Sequence, residues 1–169
     1  MDDMNRLCAA DMNISENLSG VTCSSRYVNR GDVNPSNLLP VGTTIFPKRG
    51  GAILTNKKRL TTRVICADLN IMGVTPRRDR LPEFLFNFFL GLDLREINNG
   101  SSIPQINNYG IEPLLIAFPE SITEQKVVVE KLKSLSQETQ RLESIYQCKL
   151  AALDELEKSL LHQAFAGQL

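Results

Sequence analysis

Residues 121–169 contain no proline and carry an apolar side chain at alternating steps of four and three. This run constrains the fold more than any other feature. Interior proline would break a helix, and a sustained four-three period makes one that shows a single apolar seam. The seam is Val128, Leu132, Leu135, Thr139, Leu142, Tyr146, Lys149, Leu153, Leu156 and Leu160, of which eight of ten are apolar or aromatic. Thr139 and Lys149 interrupt it and are expected to help set register and partner. Ile145, Leu150, Ala151 and Ala152 widen the face. Ser121 with Glu124 has capping-box spacing, in which Ser accepts from the Glu amide and Glu reaches back. A helix from about Ile122 to Phe165 would be roughly 65 Å long at 1.5 Å per residue. A small domain cannot cover such a stripe along its whole length, so the sequence implies a partner helix.

The rest of the chain has another texture. Residues 1–120 hold all eight prolines and nine of the ten glycines, which places a boundary near Pro119–Ser121. Val41 to Phe46 is expected to be a strand, preceded by Pro40 and stopped by Pro47. Ala52–Thr55, Arg63–Cys66 and Asn70–Val74 are further short strand candidates, and Glu112–Phe118 an edge-like last one. Pro82 to Leu90 is expected to be a helix with Pro82 in its first turn, its phenylalanines packing a core. The first forty residues support no assignment. Mixed elements without βα repetition indicate an α+β domain over residues 1–120, followed by one long helix over residues 121–169.

Composition excludes several function classes. The formal net charge is zero, so any nucleic-acid surface must be local. A local one exists: Lys48, Arg49, Lys57, Lys58, Arg59 and Arg63 lie between Pro47 and Arg63 without an acidic residue among them. Extending to Arg80 adds Arg77, Arg78 and Arg80 against only Asp68 and Asp79. Cys8, Cys23, Cys66 and Cys148 form no C-x-x-C pair and match no zinc spacing, so free thiols in a reducing cytoplasm are expected. The apolar run Phe84–Leu90 is far below the ~20 residues that cross a bilayer, so no membrane partner is expected. His162 is the only histidine and lies in the last turns of the long helix, away from any activated nucleophile. No glycine-rich cofactor loop is present: Gly50–Lys57 lacks the Gly-Lys-Ser/Thr ending of a phosphate loop. The chain reads as a non-enzyme without a metal or cofactor of its own.

Two segments suit DNA. Lys48-Arg49-Gly50-Gly51 sets two cations on a backbone able to approach a phosphate, and Asn56-Lys57-Lys58-Arg59 adds donors in one turn. Asn98 to Asn108 is an amide-rich turn segment in which Ser101, Ser102, Gln105 and Asn107 offer hydrogen bonds to backbone or base edges. A solvated surface loop is the plainer reading of each.

The order of these pieces resembles a known family. Gly42-Thr43-Thr44-Ile45-Phe46-Pro47-Lys48-Arg49-Gly50-Gly51-Ala52, then Pro82-Glu83-Phe84-Leu85, then Gly100-Ser101-Ser102-Ile103-Pro104-Gln105-Ile106-Asn107, then Ser121-Ile122-Thr123-Glu124-Gln125-Lys126, is similar to the target recognition domain of type I restriction–modification specificity subunits. The run Glu138 to Gly167 resembles that family's helical spacer. The resemblance implies a subunit that recognises half of a bipartite site in double-stranded DNA and scaffolds methyltransferase subunits, with restriction subunits joining for cleavage. S-adenosylmethionine would then sit on the methyltransferase partner. A full subunit has two recognition domains and two antiparallel helices, whereas this chain offers one of each, with a domain expected to lack its first strand ahead of Ala10. A homodimer through an antiparallel coiled coil of the long helices would restore the symmetry. The alternative is a helix-mediated dimerisation or docking module without a working DNA site.

Overall fold

The computed structural model describes residues 6–9 and 27–167. The chain divides into two compact units, Met1–Val129 and Glu130–Leu169. Among the described residues the strands are β1 (Arg6–Ala9), β2 (Tyr27–Asn29), β3 (Leu38–Leu39), β4 (Thr44–Pro47), β5 (Arg59–Leu60), β6 (Ile65–Cys66) and β7 (Ile71–Val74). The helices are α1 (Pro82–Gly91), α2 (Asn108–Ile111) and α3 (Ile122–Phe165). This is a small sheet-containing α+β domain followed by one long helix.

β4 organises the first unit. It is β-branched and aromatic, and all four of its residues are buried. It is the centre of a three-stranded antiparallel sheet of order β5-β4-β7, with Thr44 opposite Leu60 on one side and Val74 on the other. The strand expected from Val41 begins three residues later, because Val41–Gly42 forms a turn. Gly42 sits at φ 81°, and a Cβ there would come within 2.8 Å of Pro82 at the head of α1. Glycine is therefore required for both the turn and the close approach.

A second, four-stranded sheet has the order β2-β1-β6-β3. β1 runs antiparallel to β2 and parallel to β6. The expectation of a missing strand ahead of Ala10 thus meets β1 at Arg6–Ala9; the Ala10–Asn13 segment itself lies outside the described residues.

α1 begins with Pro82 and lays Leu85, Phe86 and Phe89 inward. Phe46, Ile53, Met72, Leu85, Phe89, Leu94 and Ile106 make one core, with the Phe46 and Phe89 rings stacked at 5.3 Å. Two strand expectations fail. Ala52–Thr55 lies inside a 3-10 helix, Gly50–Thr55, which turns Ile53 into the core and ends on Asn56 in the left-handed region at φ 53°. Gly50 at φ 70° leaves the extended region that a strand would need. Glu112–Phe118 forms no ladder. Leu114, Ile116 and Phe118 pack toward the core while Leu115 is exposed, so the period of two is present without a paired neighbour.

α3 starts where Ser121 Oγ accepts from the Thr123 amide, rather than from Glu124 as the capping-box spacing suggested. Composition changes at Pro119–Ser121, yet the compact units meet at Val129 and Glu130. Gln125 supplies the reason. It is fully buried, its Oε1 accepts from Leu81 N at 2.8 Å, and its Nε2 donates to Pro119 O at 2.9 Å. Gln125→Met would leave the Leu81 amide unmatched, while Pro119 O keeps the Arg80 guanidinium at 3.3 Å, and should cost about 1–3 kcal/mol. A lowered urea midpoint with the helical circular-dichroism signal retained would register that loss; an unchanged midpoint would refute it.

Candidate nucleic-acid interface

The structure brings together the two segments singled out in the sequence. Gly50 N donates to Pro104 O at 2.9 Å, Ile106 N donates to Lys48 O at 2.9 Å, and Arg49 bridges Gln105 antiparallel. The amide-rich loop is thus pinned along the basic turn by backbone bonds, and burial of Ile106 in the core holds it there. Part of its amide inventory is spent on its own shape. Asn99 Oδ1 accepts from Gln105 N and from Ser101 Oγ, and Asn98 Oδ1 accepts from Gly100 N. Ile103 O lies 2.5 Å from Ser101 Oγ as a second acceptor for the same hydroxyl proton. Ser102 and Asn107 remain exposed, and Gln105 is half-buried.

The Asn56–Arg59 turn separates into two kinds of residue. Lys57 is exposed, as is Arg49, and Lys48 is partly so; none of the three carries an ion pair among the described residues. Lys58 is buried instead, with its ammonium donating to Asn56 Oδ1 at 2.7 Å and to Leu92 O. Asn56 Oδ1 also accepts from Leu94 N at 2.9 Å. Burial pushes the Lys58 pKa down, against the opposing pull of the Asp93 carboxylate. Hydrogen bonds from Arg95 hold that carboxyl at about 2. Asn56 and Lys58, taken as DNA contacts from the sequence, are therefore internal fasteners that tie the turn to Leu92–Leu94. Arg59 is half-buried, its guanidinium donating to the Lys58 carbonyl at 2.9 Å. Lys58→Met should destabilise the domain by about 1–3 kcal/mol through the unmatched Leu92 carbonyl. Salt dependence of any DNA binding should stay as in the parent; a flattened slope would put Lys58 at the surface.

Arg63 falls elsewhere. β5 and β7 both run antiparallel to β4, so both chains leave the sheet at the Gly42 end, opposite Lys48. Thr61 N donates to Thr43 O at 2.9 Å, and Thr43 Oγ1 lies 2.8 Å from Thr75 Oγ1, which carries both registers one step further. Arg63, Arg77 and Arg78 are exposed and carry no ion pair among the described residues, whereas Arg80 pairs with Asp79 and lies over the Phe118 ring. Arg63 therefore lies past the end of β5 that faces away from Lys48. Arg77 and Arg78 belong to the basic stretch of the sequence that runs to Arg80.

Along α3, Val128, Leu132, Leu135, Leu142, Tyr146, Leu153, Leu156 and Leu160 are all exposed. Cys66 and Cys148 are free; burial, with Asp68 adding to it, pushes the Cys66 thiol up, away from a nucleophile's range. Among the described residues no group of three or more His, Cys, Asp or Glu is placed to hold a metal, and no helix is long and apolar enough to cross a membrane.

A family model described as the type I restriction modification DNA specificity domain matches residues 27–147, and the chain belongs to that family. Two solved structures are similar over most of the chain. A chain from a study of complex assembly and conformational transition of the type I R-M system matches with TM-score 0.68 and 18% identity over 90% of this chain. The HsdS subunit from Thermoanaerobacter tengcongensis matches with TM-score 0.64 and 17% identity over 100% of it. This chain spans 36% and 40% of the lengths of those two. No curated protein matches significantly.

Proposed function

We propose that this chain is a specificity component of a type I restriction–modification complex, acting as a half-subunit that recognises half of a bipartite DNA site. The observation that carries this reading is the fastening of the Lys48–Gly50 turn to the Asn98–Asn107 loop. It unites exposed cations with exposed amide and hydroxyl groups on one end of a rigid sheet, and such cations position a protein on phosphates while the neutral donors address base edges. Arg49, Lys48 and Lys57 contact the backbone, and Ser102, Gln105 and Asn107 lie where bases would be read. Arg59 and Arg63 are secondary contacts, and Ser101 shapes the loop.

On this reading the domain over residues 1–120 recognises DNA and the helix over residues 121–169 is the spacer. It performs no chemistry: methyltransferase subunits dock on it and bind S-adenosylmethionine, restriction subunits join for cleavage, and the assembly works in the cytoplasm where its DNA is. The chain homodimerises through α3 as an antiparallel coiled coil, which sets two recognition domains at opposite ends. An electrophoretic shift with mixed duplexes, run with and without a matching methyltransferase subunit, is the test. Retention of DNA in either lane supports the reading. No shift in either, with the methyltransferase still co-eluting, would leave the docking-module alternative in its place.

A further inference from the structure

We infer that two copies of α3 pair in one antiparallel register, with the two-fold axis beside Ser144, so that Thr139 of each copy packs against Lys149 of the other. This rests on the homodimer proposed above and adds to it the register and the contact that sets it.

The ten seam positions lie symmetrically about residue 144. Leu142 and Tyr146 stand two residues to either side, Thr139 and Lys149 five, Leu135 and Leu153 nine, Leu132 and Leu156 twelve, and Val128 and Leu160 sixteen. Any four-three repeat of even count is symmetric in position. The composition here is symmetric as well: the only two polar members fall at equal distance on opposite sides. Centred on Ser144, an antiparallel pair therefore confines its polar side chains to the two Thr139–Lys149 layers and keeps every other layer apolar or aromatic. Sliding by one heptad sets each of them against Leu or Tyr, doubling the mixed layers. A parallel pair in register would face Lys149 with Lys149, and like charges in a seam repel.

Local geometry agrees. Thr139 Oγ1 donates to the Leu135 carbonyl at 2.9 Å, so its hydroxyl is already matched and its methyl is left for the seam. The Lys149 ammonium lies 5.6 Å from the Tyr146 ring centroid, directed along the stripe. An arriving Lys149 also meets carboxylates, since Glu138 and Glu143 stand one residue before and four after Thr139. Ile145, beside the axis, meets its own copy. The seam is uncovered in the single chain, from 37% exposure at Val128 to 64% at Leu135. In this register the two Ile122 residues lie about 66 Å apart along the axis, at 1.5 Å per residue.

The test uses the full chain with Cys148→Ser to remove the exposed helix thiol. Leu132→Cys and Leu156→Cys are purified separately, mixed and mildly oxidised, and the cross-links are mapped by peptide mass. A disulfide joining 132 to 156 in the mixture, with neither variant cross-linking to itself through the new thiol, is the expected result. Self-linking of Leu132→Cys would mean parallel helices and overturn the inference. A dimer by light scattering without the 132–156 link would mean another register, overturning the inference while the homodimer survives. A monomer would overturn both. A second pair of variants avoids weakening the apolar layers. Thr139→Glu should tighten the dimer about fivefold through two new Glu–Lys contacts, and Thr139→Lys should weaken it. Weakening by both would point to parallel helices and sink the register.

Discussion

Leu142→Lys should dissociate the proposed α3 homodimer at micromolar concentration. Each dimer carries this residue twice, next to the two-fold axis and facing the partner's Tyr146, so the substitution removes two leucines from the centre of the seam. Burying a leucine side chain is worth about 1.5–3 kcal/mol, and each lost leucine is replaced by an ammonium that must leave the interface or be desolvated. The dissociation constant should therefore rise by about two to four orders of magnitude. Sedimentation or light scattering across a concentration series reads this directly, with Leu142→Met as the volume-conserving control. A parent chain that is already monomeric with α3 intact would remove the basis for the prediction.

The second large effect concerns DNA. Replacing Lys48, Arg49 and Lys57 together with Ala should weaken binding to every duplex alike. Its salt dependence should flatten by about 2.7 in the slope of log affinity against log salt, at roughly 0.9 per lost phosphate contact. Lys58 is left out because its ammonium is consumed by Asn56 and Leu92. Substituting Ser102, Gln105 and Asn107 should instead change which sequences are preferred and leave the slope near the parent's, since neutral side chains release no counterions. An unchanged slope in the lysine and arginine variant would place the DNA surface elsewhere, with the exposed Arg63, Arg77 and Arg78 as the next candidates.

The sequence alone determined α3. Its bounds and its exposed apolar seam follow from a periodicity that proline does not interrupt, and a helix is a local structure whose hydrogen bonds close within four residues. Local signals also placed β4, β7 and α1 to within a few residues, and they singled out both the basic turn and the amide-rich loop. What they could not decide is which side of the surface each residue occupies. Lys57 and Lys58 are identical neighbours in sequence, yet one is exposed while the other is drawn inward by the Asn56 and Leu92 oxygens, acceptors supplied by a distant segment and by a left-handed turn. Ala52–Thr55 has the composition of a strand but coils, because Gly50 and Asn56 take positive φ and the core accepts Ile53 from that direction. The meeting of Lys48–Gly50 with Pro104–Ile106, the separation of Arg63 from the basic turn, and the burial of Gln125 likewise depend on contacts between residues far apart along the chain. Such contacts form only when the whole core closes, and no local pattern encodes them.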